Sequence, residues 1–134
     1  MITEDYVSLE TAKLLKEKGF DEECNYEYGV PVVEQGYVLQ MFFRPIKNSE
    51  LIDEAYAAPS LYVAMKWLRE VHHYYIQVML DSWALGGHTG YYVVIQKTDS
   101  DFEMMLQDAV DEVFYQTYEE ACETAIKYCL EKLI

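Results

Sequence analysis

The sequence predicts an α+β domain: one antiparallel sheet of about four or five strands built from two hairpins, with three amphipathic helices packed on one face. Capped stretches of helical period lie near the start, the middle and the end of the chain. Between them lie two runs rich in tyrosine and β-branched residues, each broken by a glycine-bearing turn. The chain has 134 residues, 51% hydrophobic and 25% charged, with 6 Gly and 3 Pro. That is the size and composition of a single globular domain over 1–134, and it excludes disordered and low-complexity classes.

Ser8 is placed to cap a helix beginning at Leu9, where Leu9, Ala12 and Leu15, helped by Leu14, form the apolar stripe. Gly19 supplies the left-handed residue that stops it, and Phe20 then lies over Leu15 as in a Schellman motif. From Asn25 to Phe43, the residues Tyr26, Tyr28, Val30, Val32 and Val33, then Tyr37 to Phe43, predict two strands joined by Glu34-Gln35-Gly36. Pro31 cannot donate to a ladder, so the first strand is expected at an edge or bulged there. Arg44 to Ala58 shows no period and is expected to be a loop, with at most one helical turn at Glu50 to Tyr56.

Ser60 caps a second helix whose Leu61, Ala64, Met65, Leu68 and Val71 share one face. His73 to Asp81 and Tyr91 to Lys97 then form a second hairpin with a long, glycine-rich tip. In its first strand Tyr74, Ile76, Val78 and Leu80 point one way, and Tyr75, Gln77, Met79 and Asp81 the other. Asp99 to Asp111 is open between helix and loop, because Phe102, Met105, Leu106, Ala109 and Val110 keep a helical period while Val113-Phe114-Tyr115 resembles a short strand. Thr117 and Glu120 make a capping box for the last helix, whose apolar stripe runs from Tyr118 to Leu133.

The formal net charge is -14, and residues 99–134 carry ten acidic groups against Lys127 and Lys132, a net of -8. Phosphate backbones and anionic lipids require clustered bases, and none exists beyond Lys13, Lys16 and Lys18, so no direct nucleic-acid or membrane-surface partner is expected. No segment has the apolar length of a membrane span. The acidic opening Met1-Ile2-Thr3-Glu4-Asp5 is unlike a signal peptide, and three cysteines cannot all pair, so the expected compartment is the reducing cytoplasm.

No cofactor or metal is expected. Cys122 and Cys129 fall on the buried stripe of the last helix as small hydrophobes, Cys24 is alone, and the adjacent His72 and His73 diverge in any regular backbone. No catalytic residue is assigned, although Asp81, between Leu80 and a tryptophan two positions on, has the most apolar setting of the carboxylates. His88, within Gly86-Gly87-His88-Thr89-Gly90, is a candidate ligand-binding imidazole on a loop tip, set against a plain solvent-exposed turn. The unusual feature is 13 tyrosines. If the second hairpin pairs around its tip, Tyr75, Trp83 and one of Tyr91 or Tyr92 line one aromatic face, which is either a binding patch or core covered by helices.

The segments Tyr6-Val7-Ser8, Ala12 to Phe20, Ala64 to Glu70 and Thr117 to Glu131 resemble a group of small uncharacterised proteins of Bacteroidetes genomes, prophages and mobile elements. The resemblance carries no catalytic residue, and it implies an accessory role over housekeeping metabolism. Three functions follow as expectations. The first is an interaction module that docks a protein partner, or a second copy of itself, through the tyrosine-rich face or the acidic C-terminal face. The second is an acidic decoy of a basic nucleic-acid-binding protein, and the third a small ligand-binding protein or enzyme using the 86–90 loop.

Overall fold

A computed structural model describes residues 1–30, 35–82, 89–110 and 114–134. The elements run α1 (Leu9–Glu17), β1 (Cys24–Tyr28), β2 (Leu39–Ile46), β3 (Tyr56–Ala57), α2 (Leu61–His72), β4 (Tyr74–Asp81), β5 (Gly90–Lys97), β6 (Glu103–Met105), α3 (Leu106–Val110) and α4 (Tyr118–Tyr128). The class is α+β as expected, but the strands form two three-stranded antiparallel sheets, β2-β1-β3 and β4-β5-β6, and not one sheet of four or five. Each hairpin leaves one edge of its inner strand open, and a short strand from a segment without strand character fills that edge. Tyr56–Ala57 pairs with β1, and Glu103–Met105 with β5. Strands of two or three residues are too short to show a period, so neither was predictable from patterning. Nor do three helices share one face: α1 packs against β3, whereas α4 packs on β4 and β5.

The chain divides into two compact units, Met1–Val63 and Ala64–Ile134, with the first turn of α2 belonging to the former. In the N-terminal unit Ser8 Oγ accepts from the Thr11 amide at 3.2 Å and starts α1. The helix ends as expected, with Gly19 at φ 92°, the Phe20 amide donating to Leu15 O at 2.9 Å and the Gly19 amide to Lys16 O at 3.1 Å. β1 is the central strand of its sheet, not an edge, because it ends at Tyr28 before Pro31 is reached. Pro31, Val32, Val33 and Glu34, and with them part of the expected turn, lie outside the described residues. Pairing of Tyr28 with Leu39 and of Tyr26 with Met41 gives way to a bulge, so that Cys24 opposes Ile46. β2 therefore continues through Arg44 into the expected loop, and the helical turn is a 3-10 turn at Asn48–Glu50, earlier than Glu50 to Tyr56. Asn48 is 5% exposed and ties this region together. Its Nδ2 donates to Phe20 O at 2.8 Å, and its Oδ1 accepts from the Ala57 amide at 2.9 Å.

In the C-terminal unit β4 and β5 pair without interruption from Tyr74 opposite Lys97 to Asp81 opposite Gly90. The far edge of β5 is closed in three steps. β6 pairs with Val94 to Gln96, Gln107 Oε1 accepts from the Val93 amide at 3.2 Å, and Tyr91 exchanges two backbone bonds of 2.8 Å with Tyr115. The segment from Asp99 to Asp111 is thus strand and then short helix, with Asp111 itself outside the described residues, as is Val113. Thr117 Oγ1 accepts from the Glu120 amide at 3.0 Å, as its capping position predicts. Beyond Tyr128 the helix widens to a π turn over Cys129–Leu133, closed by the Ile134 amide on Cys129 O at 3.1 Å. Ala121, Cys122, Ala125, Ile126, Cys129 and Leu130 are buried along its stripe, their small members allowing close approach to the buried Val93 and Ile95. No described helix is long and apolar enough to cross a membrane.

Candidate functional site

Strand alternation and the β4–β5 register decide which aromatic side chains share a surface. On one face stand Tyr74, Ile76 and Val78 with Tyr91, Val93 and Ile95. α4 covers this face: Tyr118 meets the Tyr91 ring edge-on at 6.1 Å, and Tyr74 Oη donates to Leu133 O at 3.2 Å. Tyr91 is therefore a packing residue under a helix, separated from Tyr75 and Tyr92. Leu80 shares its side of the strand yet is exposed at the hairpin end.

The opposite face carries Tyr75, Gln77 and Met79 of β4, Tyr92, Val94 and Gln96 of β5, and Glu103 and Met105 of β6. Tyr75, Met79 and Met105 are 43%, 42% and 41% exposed, although they lie on a well-formed sheet. A polar ladder crosses all three strands. Gln77 Nε2 donates to Gln96 Oε1, and Gln96 Nε2 donates to Glu103 Oε2 at 2.9 Å. This ladder ties Gln77, Gln96 and Glu103 together across the sheet, between the exposed aromatic and thioether groups. At one end Arg69 of α2 lies 6.0 Å from the centre of the Tyr75 ring, and at the other Phe114 meets Tyr92 edge-on at 6.2 Å. The surroundings are acidic: Glu103, Asp99, Asp101 and Asp108 are exposed in the same segment, and Lys97 pairs with Asp99 at 3.8 Å.

Of the residues singled out in the sequence, Tyr75 and Tyr92 share this face, Tyr91 does not, and Trp83 and His88 lie outside the described residues. The methionines and the glutamine ladder were not singled out; the signal that finds them is the alternation that sets Gln77 and Met79 beside Tyr75.

The thiols behave as their burial dictates. Burial pushes Cys24 and Cys129 up to about 12 and Cys122 up to about 11, so all three are protonated. Among the described residues no group of three or more His, Cys, Asp or Glu side chains could hold a metal ion. The expectation for His72 and His73 assumed a regular backbone, which His73 does not have. His72 packs edge-on against Trp67 at 4.6 Å, while His73 takes φ 64° and turns the chain from α2 into β4. No family model, curated protein or solved structure matches the chain.

Proposed function

We propose that the protein is a non-enzymatic acidic interaction module that binds a basic protein partner on the Tyr75–Met79–Tyr92–Met105 face. The observation that carries this reading is the half-exposed aromatic and methionine surface crossed by the Gln77–Gln96–Glu103 ladder. Tyrosine and methionine are enriched where proteins dock: tyrosine supplies contact area with few rotatable bonds, and the flexible methionine thioether adapts to the partner's surface. The acidic groups of residues 99–108 and the net charge of -14 select a basic partner by attraction and repel acidic ones. The same reading places the protein in the reducing cytoplasm, where buried, protonated cysteines persist as thiols.

The test is capture from a lysate of the source organism with the parent protein and with a Tyr75→Ser/Met79→Ser variant, each washed at low and high salt. A basic partner held by the parent at high salt and lost by the variant supports the reading. Truncating an anchor at an interface centre costs about 2 kcal/mol or more, roughly thirtyfold in affinity. A partner held equally by both proteins overturns it. A partner that binds both but leaves at high salt favours the charge-driven decoy instead, which the -8 of residues 99–134 supports.

A further inference from the structure

The N-terminal unit holds a cleft that the sheet face does not involve. It encloses about 130 Å³ between the segment that precedes α1, strand β1 and the entry to α2. Its volume is below that of clefts that take nucleotides or sugars, which run to several hundred Å³, and it suits the end of one side chain or a small amine. Tyr6 and Tyr26 both line it, their rings 4.2 Å apart and tilted by 39°. Glu4 and Glu23, both exposed, also line it, and Tyr6 Oη donates to Glu4 Oε2 at 3.4 Å. Ala58, Pro59 and Val63 supply the apolar part of the lining.

The chemistry of this lining is one-sided. No lining residue is basic. The entry of α2 offers little to an anion, because the Leu61 amide already donates to Asp5 O at 2.9 Å and the Val63 amide to Ser60 Oγ at 3.2 Å. What remains is two carboxylates, phenol oxygens and aromatic faces, all of which favour positive charge. Burial, and after it the Tyr26 and Glu4 groups beside it, pushes the Tyr6 phenol up to about 12. We propose that the cleft binds an alkylammonium group, its charge between Glu4 and Glu23 and against the Tyr6 and Tyr26 rings, its methylenes on Val63 and Pro59. Two sources share this chemistry, a lysine side chain of another protein and a free aliphatic diamine.

The experiment follows the Tyr6 and Tyr26 ring resonances by NMR in the full chain at low ionic strength. The probes are hexylammonium, neutral hexanol, cadaverine and an acetylated, amidated Gly-Lys-Gly peptide. Hexylammonium is expected to shift both rings saturably while hexanol does not. A Glu4→Gln/Glu23→Gln variant should bind at least tenfold more weakly, whereas Glu17→Gln/Asp53→Asn, which removes the same charge elsewhere on this unit, should bind as the parent does. Tighter binding of the peptide assigns the amine to a protein lysine, and tighter binding of cadaverine assigns it to a free diamine. Equal shifts with hexanol, equal weakening by the two double variants, or no saturable shift overturns the proposal.

Discussion

Replacing Asn48 with alanine tests how far one side chain holds the N-terminal unit together. Asn48 is buried and its amide answers two backbone groups, Phe20 O after α1 and the Ala57 amide in β3. Asn48→Ala removes both bonds. A buried polar group left unpaired costs about 1–3 kcal/mol, and some of this is recovered if water enters the vacated space, so the expected loss is about 3 kcal/mol. With a urea slope of about 2 kcal/mol per M for a chain of this size, the midpoint followed by far-UV circular dichroism should fall by about 1.5 M. Asn48→Asp keeps the acceptor for Ala57 but sets a buried carboxylate against the Phe20 carbonyl, so at neutral pH it should be no better than alanine. Asp21→Ala is the control. It removes an exposed acceptor, 2.7 Å from the Ser49 amide, and should cost about 0.5 kcal/mol. If Asn48→Ala moves the midpoint no further than Asp21→Ala, the bridging role assigned to Asn48 is wrong.

Gly19→Ala meets no atom within 4 Å, so its cost is the backbone strain of φ 92° alone, about 1 kcal/mol in urea unfolding; no loss would mean the helix stop tolerates a side chain. His72 sits in the last turn of α2, where the helix favours a cation, yet burial, helped by His73, lowers its pKa, and its Nε2 has no partner among the described residues. The unfolded chain therefore takes the proton first, and stability should fall as pH drops below about 6.5 toward the folded value. His72→Gln should flatten the urea midpoint between pH 7.5 and pH 5, and an unchanged slope would reject the assignment. Glu27, next to the end of β1, is 9% exposed and burial raises its pKa, so its folded form holds the proton longer and stability is lost as pH rises through the folded value. Glu27→Gln should raise the urea midpoint at pH 7 and change it little at pH 4, and a lower midpoint at pH 7 would show that the carboxylate is stabilising. Finally, a thiol reagent at pH 8 should find no fast-reacting cysteine in the folded protein and three in urea; one fast thiol in the folded state would contradict the burial of Cys24, Cys122 and Cys129.

Local chemistry made much of this fold legible. Ser8, Gly19, Ser60 and Thr117 mark helix ends through hydrogen bonds within a few residues, and the β4–β5 register follows from period-two alternation over eight residues. What was hidden depends on distant partners. Tyr56–Ala57 is extended because β1 offers an open edge and Asn48 takes the Ala57 amide, and Glu103–Met105 because β5 offers another. No neighbour in sequence encodes either, and without those strands the second sheet could not be foreseen. Half of the aromatic prediction was resolved in the same way. Alternation placed Tyr75 on one face, but only the register, with Met79 opposite Tyr92 and Leu80 opposite Tyr91, separates the two adjacent tyrosines into one surface residue and one packing residue.

The bulge in β2 bears on how the protein behaves when crowded. An outer strand with Met41 and Phe43 in water is a template on which further copies of a chain can stack, rung upon rung. Here five steps along β2 answer two along β1 between the Met41 and Ile46 pairings, and Pro45, which has no amide to give, falls inside that surplus. A newcomer can follow the strand from Leu39 to Met41 and then loses its place, with Arg44 and Lys47 beyond. The surplus residues thus interrupt filament growth at its first layer, and shortening β2 to match β1 would remove that interruption.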